Sequence, residues 1–139
     1  MRRFPDQDTP ERARFLCYSL INWTLMGGNL LKRGEHARAL AFLTLVHEHL
    51  LKTVRLMEGN TTNWLSPSRQ LEEDISAASY ERFRGCTTAL KADQLARAYR
   101  ATWEWSRGLM GELSVRHEFL LPDALLAKLD RYLLASIQT

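Results

Sequence analysis

The sequence predicts an all-α fold, an up-and-down four-helix bundle with short crossover helices. Three observations carry this. Leu40, Leu43, His47, Leu50, Val54 and Met57 are spaced 3, 4, 3, 4, 3, which places them on one stripe of a helix over residues 35–58. Ala92, Ala96, Tyr99, Trp103, Ser106, Met110, Leu113 and His117 are spaced 4, 3, 4, 3, 4, 3, 4, a sustained bundle seam. No segment shows strand alternation bounded by turns.

Residues 1–9, MRRFPDQDT, are short, charged and proline-bearing and read as a flexible leader to one helical domain, 10–139. Thr9-Pro10-Glu11 is a helix start, with Thr9 as cap and Pro10 at the first helical position. Leu16, Leu20, Trp23, Gly27 and Leu30 form one stripe, and Phe15, Tyr18, Asn22, Leu25 and Asn29 a neighbouring one. A helix apolar over most of its circumference is usually central. Asn22 and Asn29 then either line a polar cleft or face solvent. Gly27-Gly28 costs about 1 kcal/mol of propensity per glycine, which close helix contact or a kink explains. Lys32-Arg33-Gly34 supplies a cationic last turn and a glycine stop, so an antiparallel hairpin is expected. Gly59-Asn60 stops the second helix. Ser68 is the expected cap of a short helix from Arg69 to about Ile75, and a second short piece spans 79–84. Asp93 is the expected cap of the fourth major element, and Pro122 opens the last helix, with Leu126, Leu129, Leu133 and Ile137 inward.

Composition bounds the function. The chain has 139 residues and a net charge of +3 from 19 basic and 16 acidic groups, one domain's length. The charges alternate in sign without the basic stripe of a nucleic-acid binder. No run of about 18 apolar residues marks a membrane helix, and no secretory signal opens the chain. With two isolated cysteines, Cys17 and Cys86, this points to a reducing, cytoplasmic setting.

Chemistry-bearing motifs are sparse. His47 and His49 lie on different helix faces, and no repeated Glu-x-x-His pair marks a di-iron bundle, so no metal site is expected. No nucleophile elbow, activated cysteine or phosphate-cradling loop is present, and no catalytic residue is assigned. The densest binding cluster is Arg55, Glu58, Asn60, Asn63, Trp64 and Arg69. Arg55 stands three residues before Glu58, a spacing for a surface ion pair, with Trp64 and Pro67 packing over the helix end as a structural clasp. The alternative is a ligand or docking surface. His47 is either a core histidine bonded to a neighbouring helix or a ligand-lining group.

The runs NLLKRGEHARALAFL, RLMEGNTTNWLSPSRQLEEDI and RATWEW, with Asp8-Thr9-Pro10-Glu11-Arg12 before them, resemble the C-terminal helical domain of lincosamide nucleotidyltransferases over residues 8–138. The fold is similar to the helical domain of kanamycin nucleotidyltransferase, and to helical subunits that pair with minimal nucleotidyltransferases. The resemblance implies transfer of a nucleotide monophosphate from a nucleoside triphosphate and magnesium to an antibiotic hydroxyl. That chemistry belongs to an N-terminal domain with a Gly-Ser turn and Asp-x-Asp or Asp-x-Glu. No Gly-Ser pair occurs here, and Asp6-Gln7-Asp8 lacks the preceding strand, so magnesium and nucleotide are not expected on this chain alone. No Arg-x(4–6)-His motif of the superfamily's ribonucleases occurs. The resemblance implies a substrate-binding domain, inactive by itself, meeting a lincosamide-like molecule and a separate catalytic domain through Asn22, His47, Trp64 and Arg69. The alternatives are an interaction module, self-associating as a homodimer or serving a catalytic subunit, and a binder with a retained interhelical pocket.

Overall fold

The computed structural model describes residues 6–135, and within them the chain is all helix and connection, with no strand. Six helices succeed one another: α1 Pro10–Lys32, α2 His36–Glu58, α3 Leu71–Asp74, α4 Ala77–Arg84, α5 Ala92–Arg116 and α6 Asp123–Ala135. The all-α bundle with short crossover helices is the architecture found. Helices α1 and α5 are its centre: each packs on the other and on both α2 and α6.

Helix α1 starts as its sequence directs. The Thr9 hydroxyl accepts from the Arg12 amide at 3.2 Å, and Pro10 occupies the first turn, where an amide proton would have no partner. Its end is a Schellman closure. Gly34 takes φ +76, and the amides of Gly34 and Glu35 donate to Leu31 and Leu30 carbonyls. The hairpin then reverses the chain into α2. Gly59, at φ +78, repeats the device at the end of α2, with the Asn60 amide on the Arg55 carbonyl at 3.0 Å.

The crossover sets the relative direction of α2 and α5. Ala39 meets Tyr99 through the phenol's bond to its carbonyl, and His47 meets Thr102 further along both helices. Helices α2 and α5 therefore run the same way, and strict alternation gives way at this step. A parallel return needs a long connection, and residues 59–91 supply it. Helix α6 runs back along α5, with Asp130 facing Trp103 and Arg107.

Several boundaries differ from expectation. Helix α5 begins earlier, with Lys91 at the cap, and Asp93 pairs with Arg97 at 2.7 Å; its carboxylate complements the helix dipole from inside the first turn. Pro122 is the residue before α6, its carbonyl accepting from Leu126. Helix α3 starts at Leu71, not Arg69, because Gln70 adopts φ +53 and breaks the helical path. Helix α4 starts at Ala77, since the Ser76 hydroxyl caps the Ser79 amide at 3.1 Å. The second stripe of α1 is not core: Phe15 and Tyr18 are 54% and 38% exposed, and Asn22 and Asn29 face solvent. Trp103 is core as expected, and Trp105 is buried too, under the Arg82 guanidinium. Of the leader, residues 6–9 are described: Gln7 is buried and Asp8 bonds Arg116 and His117. The rest of the leader and Ile137 lie outside the described residues.

Gly27 is explained by close contact. A Cβ there would sit 2.0 Å from the Tyr99 hydroxyl and 2.7 Å from its ring. That hydroxyl is buried and donates to the Ala39 carbonyl at 2.6 Å, so it has little freedom to yield. Gly27→Ala is expected to destabilise the fold by roughly 1–3 kcal/mol from overpacking, against the gain of about 1 kcal/mol in helix propensity. Urea unfolding checks it, and pairing Gly27→Ala with Tyr99→Leu should recover part of the loss.

Candidate functional site

The site begins with a cation that cannot reach water. The Arg55 side chain is fully buried near the end of α2. Its Nε donates to the Pro67 carbonyl at 2.8 Å, Nη2 to the Arg69 carbonyl at 2.8 Å, and Nη1 to Asp74 Oδ2 at 2.8 Å, with a longer 3.5 Å contact to the Asn60 carbonyl. A guanidinium presents five donors in a rigid plane, which suits several acceptors from different segments at once. Asn63 completes the hub by donating to the Arg69 carbonyl and to Asp74 Oδ2 at 2.8 Å. Asn60 donates to the Asp74 carbonyl at 3.3 Å. Residues 60–74 are thus wrapped around one buried charge. The Arg55 fork first, and the Asn63 amide second, hold the Asp74 carboxyl below the usual carboxylate range.

The expected Arg55–Glu58 surface pair does not form. Arg55 points inward to Asp74, and Glu58 turns to the next helix instead. Glu58 accepts from the Ser76 amide at 2.6 Å and from the Ser76 and Ser79 hydroxyls. It therefore ties the end of α2 to the start of α4.

These two anchors hold the walls of a cleft. Its floor is the α2 face of Thr44, His47, Glu48 and Leu51. One wall is the loop of Leu65, Ser66, Pro67 and Ser68, and the other is Phe83 of α4; the volume is about 400 Å³. Arg55 holds the loop wall through Pro67, and Glu58 holds the helical wall through the α4 cap. His47 is at once a core histidine and a lining group. Its Nε2 is 3.3 Å from the Thr102 hydroxyl on α5, and its ring stands edge-on to Phe83 at 5.1 Å, while it also lines the cleft. Burial depresses its pKa to about 4, so the imidazole is neutral at pH 7. Glu48 is the one formally charged group in the lining.

Of the sequence-predicted residues, His47 lines the cleft, and Arg55 and Glu58 support it from behind. Trp64 is buried, with the cations of Arg12 and Lys52 within 5.9 and 5.7 Å of its ring, and it does not line the cleft. Pro67 is buried too, with its carbonyl on Arg55. Arg69 is exposed and contributes its carbonyl to the hub. Asn22 lies on the exposed face of α1, away from this lining. Phe83 and Glu48 escaped sequence reading; an aromatic on a short amphipathic helix was the available signal for the first. Burial raises the thiols of Cys17, to about 12, and Cys86, which keeps both protonated and poor nucleophiles.

Residues 9–132 match the family described as lincosamide nucleotidyltransferase-like, C-terminal domain. The chain belongs to that family. A comparison with curated proteins finds no match. The magnesium and nucleotide used in nucleotidyl transfer need a converging carboxylate set. Among the described residues of this lincosamide nucleotidyltransferase-like domain, no three His, Cys, Asp or Glu side chains converge to hold a metal ion. The residues do not fit that group, and no step is assigned to it. Among the same residues, no helix is long and apolar enough to cross a membrane.

Two measurements test the hub. Arg55→Met is expected to cost about 3–5 kcal/mol in chemical unfolding, because a buried pair loses one partner, and Asp74→Asn less, since Asp74 is 15% exposed. Between pH 6.5 and 4 the pH dependence of stability includes a contribution from His47. Its folded pKa of about 4 lies below the ordinary 6.5, so between those values the unfolded chain binds the proton and the folded chain does not. Stability should fall as pH drops from 6.5 toward 4, and His47→Gln should flatten that part of the profile.

Proposed function

We propose that this domain is the substrate-binding half of a lincosamide-type nucleotidyltransferase, and that it does not catalyse transfer alone. Family membership across residues 9–132 is the observation that carries the reading. The antibiotic is held in the cleft over His47, and carboxylates outside this domain would hold magnesium, which would bind the nucleotide's phosphates. The lining suits an amphipathic, hydroxyl-bearing molecule with a cationic centre. Phe83, Leu51 and Leu65 offer apolar area, Ser66 and Ser68 offer hydroxyls, and Glu48 offers the counter-charge. His47 stays neutral and lines the cleft with its ring, held by Thr102. Confirmation would make the domain part of an antibiotic-resistance enzyme.

The catalytic partner docks at the cleft's rim in this reading. Leu65 is 73% exposed there, and Arg69 on the same loop is an exposed cation; an apolar residue beside a cationic fork is typical of an interface.

Thermal unfolding with lincomycin and clindamycin tests the proposal. Ligand at 100 times its dissociation constant adds about 2.7 kcal/mol, and Glu48→Gln, at an exposed position, should shrink the shift without lowering the melting point of the free protein. No shift with either drug would sink the substrate-binding reading, as would nucleotide transfer to lincomycin by the purified domain unaided.

A further inference from the structure

Helix α1 packs on α2, α5 and α6, yet one row of it stays in the open. The row is Glu11, Phe15, Tyr18, Asn22, Met26, Asn29 and Arg33, spaced 4, 3, 4, 4, 3, 4, and every member is exposed. Helix α2 flanks the row on one side, where Phe15 meets His49 and Trp23 meets Phe42. Helix α6 flanks it on the other, where Tyr132 donates to Asn29. Phe15, Tyr18 and Met26 are 54%, 38% and 47% exposed, three large apolar groups on one ridge.

The row reads alike from either end, with its centre at Asn22, but its termini carry opposite charge. Set antiparallel against a copy of itself about a two-fold axis at Asn22, it is complementary at its centre and at its charged ends. Glu11 comes opposite Arg33, Tyr18 opposite Met26, Phe15 opposite Asn29, and Asn22 opposite its own copy, where two amides can exchange hydrogen bonds. The Asn22 side chain has no partner among the described residues, and Glu11 no ion pair. Arg33 holds only a 3.6 Å contact to Glu35 between two exposed side chains, worth little in water. Shape agrees with charge. A hollow of about 130 Å³ lined by Met26, Asn29, Arg33, Arg38 and others lies at the Arg33 end, opposite Phe15 of the copy. Arg33 and Arg38 there can face the incoming ring as cations.

We propose that the chain forms an isologous homodimer through the outer row of α1, antiparallel, with its two-fold axis at Asn22. An isologous contact requires self-complementarity of one patch, and the order of charge along this row selects the antiparallel pairing over the parallel one. The inference is independent of the cleft and of the ligand bound there.

Sedimentation equilibrium at low ionic strength, over micromolar to millimolar protein, tests it with three sets of variants. Tyr18→Glu is expected to weaken association by on the order of tenfold or more, since an interface aromatic is lost and a charge placed in the seam. Glu11→Lys and Arg33→Glu should each weaken it, and the double variant should restore it, because the pair is inverted rather than broken. Asn22→Cys should form a disulfide-linked dimer under mild oxidation, whereas Glu104→Cys, on exposed α5 surface, should not. Cys17 and Cys86 are buried and leave that readout clean. A monomer throughout the range would overturn the proposal. So would a dimer unmoved by Tyr18→Glu, or one that the double charge inversion fails to restore, because either places the contact elsewhere.

Discussion

One buried guanidinium decides the shape of the crossover side of this domain. Burying a charge is costly unless it is paired and hydrogen-bonded, and Arg55 is satisfied only if residues 60–74 fold around it. Its partners are the carbonyls of Pro67 and Arg69 and the carboxylate of Asp74. The loop buries Trp64 and Leu71 against the core, but the rest of it is mostly polar, and a four-residue helix such as α3 is not stable alone. The charge gives the loop its centre of attachment, and the loop in turn supplies one wall of the cleft.

The rest of the bundle is built more conventionally. Tyr99, Trp103, Met110 and Leu113 of α5 are each fully buried, and Gly27 lets α1 approach the Tyr99 ring. Polar groups fix helices relative to one another at a few points. Trp103 and Arg107 both donate to Asp130, joining α5 to α6. Arg116 and His117 hold Asp8, which anchors the segment before α1 to the end of α5.

The helices were legible because their signals are local. Thr9-Pro10, Gly34 and Gly59 mark ends through backbone rules that operate within a turn, and the 3-4 spacing of α2 and α5 marks the buried faces. The site was less so, because its decisive bonds span distance in sequence. Arg55 to Asp74 covers 19 residues and Glu58 to Ser76 covers 18, whereas the helix rule pairs neighbours three or four apart, and that rule pointed to Arg55 and Glu58 together. A signal for the truth was present: Arg55 stands between Val54 and Leu56 near a helix end, followed by a loop rich in Asn, Ser and Pro. The outer row of α1 misled for the opposite reason. Phe15 and Tyr18 look like core by composition, and only the positions of α2 and α6 show that they face outward.

Hydrogen exchange in the Arg55→Lys variant tests most directly whether this one group organises the cleft. A lysine keeps the charge but carries its three donors on one nitrogen in place of the planar fork. Amides of residues 60–76 should lose more protection in the variant than those of α1 and α5, since the bonds removed are those of the loop. Unchanged protection across 60–76, or an equal loss over the whole domain, would contradict the account.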